Sequence, residues 1–208
     1  MIYCLNPNCL KPQNPDNHRF CQSCGAKLIP QLQDRFAIQE RLGEGGFGKT
    51  YRATDGHRMN ANSVVKQFAP AMRSNPQLRD KMLELFEREA TQLLELGQHP
   101  QIPALFAYFQ ADLELPAGRY PYLYLAQEYV EGQNLLQELA EKQSFDEAEV
   151  RTILADLLPI LDLIHSRGVI HRDIKPENIM QRQSDGNSNG PGFRYVINGL
   201  RVVCVFSR

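Results

Sequence analysis

The spacing of hydrophobic residues changes rhythm several times along this chain. Period-two alternation between turn residues predicts strands over 34–42, 49–54, 63–68, 104–112 and 120–129. Between the third and fourth, Leu78, Met82, Leu85, Phe86, Leu93 and Leu96 recur near helical spacing and predict a long helix over 77–96. A short helix is predicted over 134–142, and another begins near residue 146. Ser144 or Asp146 can cap that helix, and Glu147 and Glu149 suit its positive end. Leu154, Leu157, Leu158, Leu161 and Ile164 give it a broad apolar face. Pro159 inside the pattern is expected to kink it or leave a bulge, and Gly168 to end it.

Charge and composition remove some classes of function. Lys+Arg number 23 against 24 Asp+Glu, so no basic excess supports nucleic-acid binding. No apolar run reaches the length of a membrane span; the closest, 153–164, is broken by Asp156, Pro159 and Asp162. The N-terminus lacks the basic start and apolar middle of a signal peptide. A cytoplasmic protein with reduced cysteines is the expectation.

The cysteines change the picture of the N-terminus. Of the five, four lie in the first 24 residues: Cys4 and Cys9 as C-x-x-x-x-C, Cys21 and Cys24 as C-x-x-C followed by Gly25. Two close pairs joined by a polar, Pro- and Asn-rich loop read as a tetrahedral, structural zinc site. Gly25 suits the tight turn at the second pair. A segment under about 40 residues needs such a staple, and zinc supplies about 10–16 kcal/mol in small fingers. The alternatives are a disordered, reduced tail or a redox pair at Cys21 and Cys24, which lacks the βαβ context of such motifs. His18 reads as a loop residue, 27–33 as a linker, and Cys204 as a plain apolar residue.

Two further motifs point to phosphate chemistry. Gly43-Glu44-Gly45-Gly46-Phe47-Gly48 spells G-x-G-x-x-G, whose glycines let backbone N–H groups approach phosphates closely. The sequence after Gly48 alternates like a strand, so the loop turns a hairpin instead of opening a dinucleotide-binding helix. Phe47 can cap the loop tip, and Thr50, two residues after the last glycine, is β-branched. His171-Arg172-Asp173-Ile174-Lys175-Pro176-Glu177-Asn178 has the spacing H-R-D-x-x-x-x-N.

With these motifs in this order, residues 34–178 resemble the eukaryotic-type protein Ser/Thr kinases, and the four-cysteine start is similar to a bacterial branch of them. The resemblance implies an α+β, protein-kinase-like fold. It has a complete β-rich N-lobe with its hinge at 34–132 and an incomplete helical C-lobe at 133–182. A zinc-ribbon-like module at 1–26 precedes it, and an atypical tail occupies 183–208. It implies an ATP-dependent transfer of the γ-phosphate to protein Ser/Thr hydroxyls, with ATP, Mg2+ and structural Zn2+ as cofactors. Lys66 in Val64-Val65-Lys66 then pairs with the α- and β-phosphates, held by Glu89 of the long helix, with Glu87 as competitor. Backbone groups of Glu128 and Val130 bond the adenine edge, and Gln127 guards the back of the pocket. Asp173 orients the hydroxyl, Lys175 neutralises phosphate charge and marks the Ser/Thr class, and Asn178 reaches magnesium.

The resemblance stops abruptly. Residues 179–208 contain no Asp-Phe-Gly, the motif whose Asp holds the main magnesium, and Asp185-Gly186 reads as a hairpin turn. The expectation is a kinase truncated by a coding-frame shift near Asp185, with transfer reduced on the order of a thousandfold or more. Two other readings compete: a nucleotide-binding pseudokinase without transfer activity, and a zinc-module adaptor. The apolar face of the 146–167 helix is expected to be uncovered and to favour aggregation or a partner.

Overall fold

The computed structural model describes residues 1–45, 48–68, 76–171, 173–182 and 195–198, the side chains of 45, 76–83, 85 and 89 apart. They fall into two units: Met1–Lys81 with Leu105–Tyr129, and Met82–Ala104 with Val130–Arg208.

The first unit is built on a five-stranded antiparallel sheet. Its strands are β3 (Phe36–Gly45), β4 (Gly48–Asp55), β5 (Ala61–Phe68), β6 (Leu105–Leu115) and β7 (Gly118–Glu128), in the order β3-β4-β5-β7-β6. All five lie where alternation predicts strands. The order reflects chain path: β6 takes the outer edge, and the hairpin back to β7 completes the pairing with β5. Alternate residues of each strand face opposite sides. One face carries Ile38, Tyr51, Val65, Tyr124 and Ala126 into a core that also takes Leu5 and Leu32 from the N-terminal segment. Phe109 stacks between Phe36 and Tyr124, at centroid distances of 6.0 and 5.3 Å.

The N-terminal segment is therefore part of this unit. Its hairpin, β1 (Ile2–Tyr3) against β2 (Gln13–Asn14), sits over the sheet, with Tyr3 edge-on to Tyr51 at 5.7 Å. Buried Gln67 donates from Nε2 to the Leu5 carbonyl (2.9 Å) and to the Tyr124 hydroxyl (3.0 Å), and accepts from the Tyr51 hydroxyl (3.0 Å). The segment 27–33, read from the sequence as a linker, is packed in: Leu28 and Leu32 are buried, and the Lys27 N–H donates to the Glu114 carbonyl.

Asp55 ends β4 fully buried, in a bidentate pair with Arg35 at 2.7 Å on both arms, and accepts from the His57 N–H at 3.0 Å. The Arg35 hydrogen bonds hold its carboxyl below the usual aspartate range. A depressed folded pKa means that the stabilisation is complete above the unfolded value and is lost as pH falls through the folded one. Asp55→Ala is expected to cost about 2–3 kcal/mol in urea unfolding at pH 7, since Arg35 keeps some access to water. That difference between the two proteins should shrink below about pH 4. A constant difference across that range would show that the pair is not the source.

The second unit contains the C-terminal part of α1 (Pro76–Leu96), then β8 (Gly132–Asn134), α2 (Leu135–Lys142), α3 (Glu147–Ser166), a 3-10 turn at Pro176–Asn178, β9 (Ile179–Arg182) and β10 (Tyr195–Ile197). The capping residue of α3 is Asp146, in a reciprocal capping box with Glu149; Asn134 and Gln137 form another at α2. Gly168, at φ +72°, closes the turn after α3. α3 is continuous through Pro159; Pro159 and Ala155 are both exposed, so water reaches the carbonyl that the proline leaves without a donor. Its buried stripe is Ile153, Leu157, Ile160 and Ile164, narrower than the face read from the sequence. Leu154 (47% exposed) and Leu158 (57%) flank it outward.

A three-stranded antiparallel sheet in the order β10-β9-β8 brings together segments far apart in sequence. Its outer strand, β10, comes from the tail that the sequence reading left outside the family pattern. Fully buried Gln101 holds it there. Its Nε2 donates to the carbonyls of Tyr195 (3.0 Å) and Asp156 of α3 (2.8 Å), and its backbone carbonyl accepts from the Ile197 N–H (2.9 Å). Among the described residues, no helix is long and apolar enough to cross a membrane.

Candidate active site and metal centre

In the first unit, strand pairing brings several residues of the sequence motifs into one row. Gly43 pairs with Thr50, Thr50 with Lys66, and Lys66 with Leu125. Directly opposed residues of antiparallel strands share a face, so Thr50 and Lys66 lie on the side opposite Tyr51 and Val65, which pair next to them in the core. Both are half-buried. Gly45 and Gly48 close the β3–β4 hairpin; Gly46 and Phe47 lie outside the described residues. Gly48 has φ +153°, and a Cβ there would stand 2.0 Å from the Gln67 carbonyl oxygen, so only glycine fits. A Cβ at Gly43 would meet nothing within 4 Å. The hinge candidates lie at the end of β7. Glu128 pairs with Ser63, Gln127 is buried, and the two units divide between Tyr129 and buried Val130. The side chain of Glu89 lies outside the described residues; that of Glu87, its competitor, is exposed.

In the second unit, the loop after α3 brings Asp173, Lys175 and Asn178 together. Asn178 Nδ2 donates to the Asp173 carboxylate at 2.9 Å and to its backbone carbonyl at 2.7 Å. The 3-10 turn begun by Pro176 sets that reach, its first position suiting a residue without an N–H. Lys175 Nζ stands 3.8 Å from Asp173 Oδ2. Arg172 lies outside the described residues.

His171 is the scaffold residue that the motif reading passed over without a role. It is buried, and its Nδ1 accepts from the Asp173 N–H at 3.3 Å. With Nδ1 accepting, Nε2 carries the proton and donates to the Asn198 carbonyl at 3.0 Å. Asn198 follows β10 directly, and its N–H donates to the Asn178 carbonyl at 2.7 Å. Neither Asn198 nor Gln101 was singled out from the sequence. A buried polar residue in a loop leaves no periodic signal.

The four N-terminal cysteines converge. Their sulfurs all lie within 4.8 Å of one another, with Cys4–Cys24 and Cys9–Cys21 each at 3.6 Å. A tetrahedron of Zn–S bonds of about 2.3 Å has edges of about 3.8 Å, whereas a disulfide closes to about 2.05 Å. The spacing fits one metal ion shared by four thiolates. Two tight turns present them: the Cys9 N–H donates to the Asn6 carbonyl, and the Gly25 N–H to that of Cys21, with Gly25 at φ +71°. Burial alone would raise the Cys21 thiol. The N–H groups of Cys24 and Ser23 and the Asn14 amide outweigh it and hold it at about 6. Burial pushes Cys4 up. Buried Asn14, another residue that sequence reasoning missed, donates to Cys21 Sγ at 3.6 Å and accepts from the Gln22 N–H at 2.9 Å.

The protein kinase domain profile matches residues 36–189, about three-quarters of the chain. This chain belongs to the protein kinase family. Among curated relatives, this kinase chain is 45% identical over 186 residues to serine/threonine-protein kinase B of Synechocystis sp., covering 89% of the chain and 30% of the relative. It is 41% identical over 197 residues to serine/threonine-protein kinase F of the same organism (88% and 39%). It is 43% identical over 157 residues to serine/threonine-protein kinase PknA of Nostoc sp. (74% and 26%). The kinase chain thus spans between about a quarter and two-fifths of the length of these relatives. Its family uses ATP with Mg2+.

Proposed function

We propose that this chain carries the nucleotide-binding and hydroxyl-positioning parts of a kinase that transfers the ATP γ-phosphate to serine and threonine hydroxyls of proteins. The observation that carries the reading is the Asp173 carboxylate, held by Asn178 with the Lys175 ammonium beside it. Such a carboxylate accepts the hydroxyl proton as the oxygen attacks, and Lys175 offsets charge on the moving phosphoryl group. The glycine hairpin offers backbone N–H groups to the phosphates, and Lys66 pairs with the α- and β-phosphates. Glu89 orients Lys66, and backbone groups of Glu128 and Val130 take the adenine edge. The relatives bearing the name serine/threonine-protein kinase support the substrate class.

The magnesium-holding set fits incompletely. Asn178 is in place, but no Asp-Phe-Gly carboxylate follows it in the sequence. This favours, as a second reading, nucleotide binding with weak transfer. The four cysteines are proposed to hold a structural zinc, since all four positions are thiols and none is left open for a substrate. The reading places the chain in the cytoplasm, where such thiols stay reduced.

Transfer of labelled phosphate from ATP to a generic protein substrate tests the function. Asp173→Ala is expected to reduce the rate on the order of a hundredfold or more while nucleotide affinity is kept. Equal rates in the two proteins would overturn the transfer reading and leave the binding one.

A further inference from the structure

We propose that Asn198 stands at the place of the magnesium-holding aspartate, so that this chain has a divalent-cation site complete in position and one negative charge short. The inference rests on the kinase reading above and adds to it the residue that sets cation affinity.

The position follows from the hairpin. β10 pairs antiparallel with β9, Ile197 opposite Ile179 and Tyr195 opposite Gln181. The strand that leaves Asn178 is thus matched residue by residue, and the next residue, Asn198, is returned beside Asn178. Its backbone is then tied at both ends. The N–H donates to the Asn178 carbonyl at 2.7 Å, and the carbonyl accepts from His171 Nε2 at 3.0 Å. His171 in turn accepts from the Asp173 N–H, so one buried imidazole ties Asn198 to the residue proposed to receive the proton.

The side chain points to a ligand. Asn198 Oδ1 is buried and has no hydrogen-bond partner among the described residues. An orphaned buried acceptor is unfavourable unless a donor or cation reaches it. The adjacent amide, Asn178, spends its Nδ2 on Asp173, which leaves its own oxygen for a cation. The chemistry, however, is weak. Magnesium is held by carboxylates together with substrate phosphates and gives up its water reluctantly. On the loop the Asp173 charge is offset by Lys175 at 3.8 Å, and both asparagines are neutral. Asn198→Asp changes one atom and adds one charge, without touching the backbone bonds that fix the residue.

The test measures cation binding directly. Mn2+ is titrated by electron paramagnetic resonance into the full chain with a non-hydrolysable ATP analogue, wild type against Asn198→Asp and Asn198→Ala. The aspartate variant is expected to bind Mn2+ at least tenfold more tightly than wild type, and the alanine variant more weakly. Thermal midpoints of all three should agree within a few degrees, since the ties to Asn178 and His171 are backbone ones. Unchanged Mn2+ affinity in an aspartate variant that binds the analogue would overturn this inference alone. Failure of the wild-type chain to bind the analogue would overturn the nucleotide reading, and this inference with it.

Discussion

Cys21→Ser, or treatment of the zinc-loaded chain with a strong chelator, is expected to lower the melting midpoint of the whole first unit by roughly 10–20 °C, corresponding to about 3–5 kcal/mol. A zinc module tethered by a flexible linker would melt alone and leave the sheet unchanged. Here Leu5 and Leu32 are members of the sheet's own core. The Leu5 carbonyl satisfies Gln67, and Gln67 is bonded to Tyr51 and Tyr124, both deep in that core. Loss of the N-terminal hairpin strands a buried amide donor and opens apolar surface together, the two costs that make single changes severe. Lys49, next to Gly48 on β4, donates from Nζ to the Pro7 carbonyl between the first two cysteines. Nucleotide affinity is therefore expected to fall along with stability. The check is a thermal melt and an ATP-analogue titration, each with zinc and with chelator. An unchanged midpoint for the sheet would show that the docking of the module is energetically idle.

The second large effect is expected at one glycine of the β3–β4 hairpin. Gly48→Ala should destabilise the first unit by at least about 3 kcal/mol and remove detectable nucleotide binding, whereas Gly43→Ala should cost less than about 1 kcal/mol. A Cβ at position 48 would sit 2.0 Å from the Gln67 carbonyl oxygen and 3.0 Å from Phe68 Cα, backbone atoms that cannot rotate away. The φ of +153° adds strain for any side chain. Relief requires β4 to part from β5 at the Gly48–Phe68 pair, and that pairing aligns Thr50 with Lys66 two residues on. Gly43 has open space around its missing Cβ and no unusual backbone angle. Urea unfolding and analogue titration of the two variants decide the matter. Similar costs at both positions would mean that the loop tolerates or rejects side chains for a reason other than this contact.

The motif reading treated all the loop glycines alike, because a pattern of residue types says nothing of what lies opposite. The same holds at the C-terminal end. Residues 195–198 contain no recognisable kinase letters, so the sequence pattern leaves them outside the fold. Their placement comes from Gln101 and from register with β9. The backbone of Asn198 is held by the Asn178 carbonyl and by His171 Nε2, contacts that no pattern of residue letters records.

The amino-acid sequence by itself determined the five strands of the main sheet and the three helices in their order, the family, the clustering of four cysteines, and which residues are proposed to meet phosphate and hydroxyl. Each of these is carried by short-range information: period, turn chemistry, or residues spaced within one loop. The tertiary structure alone decided that β7 lies between β5 and β6, that the cysteine module shares a core with the sheet, that Gly48 and not Gly43 is intolerant, and that Asn198 lies against Asn178. Those depend on atoms brought together from far along the chain, such as Gln67 against Leu5 or His171 against Asn198. A hydrogen bond across such a separation follows from how the strands close on one another, and no local pattern of residues encodes that closure.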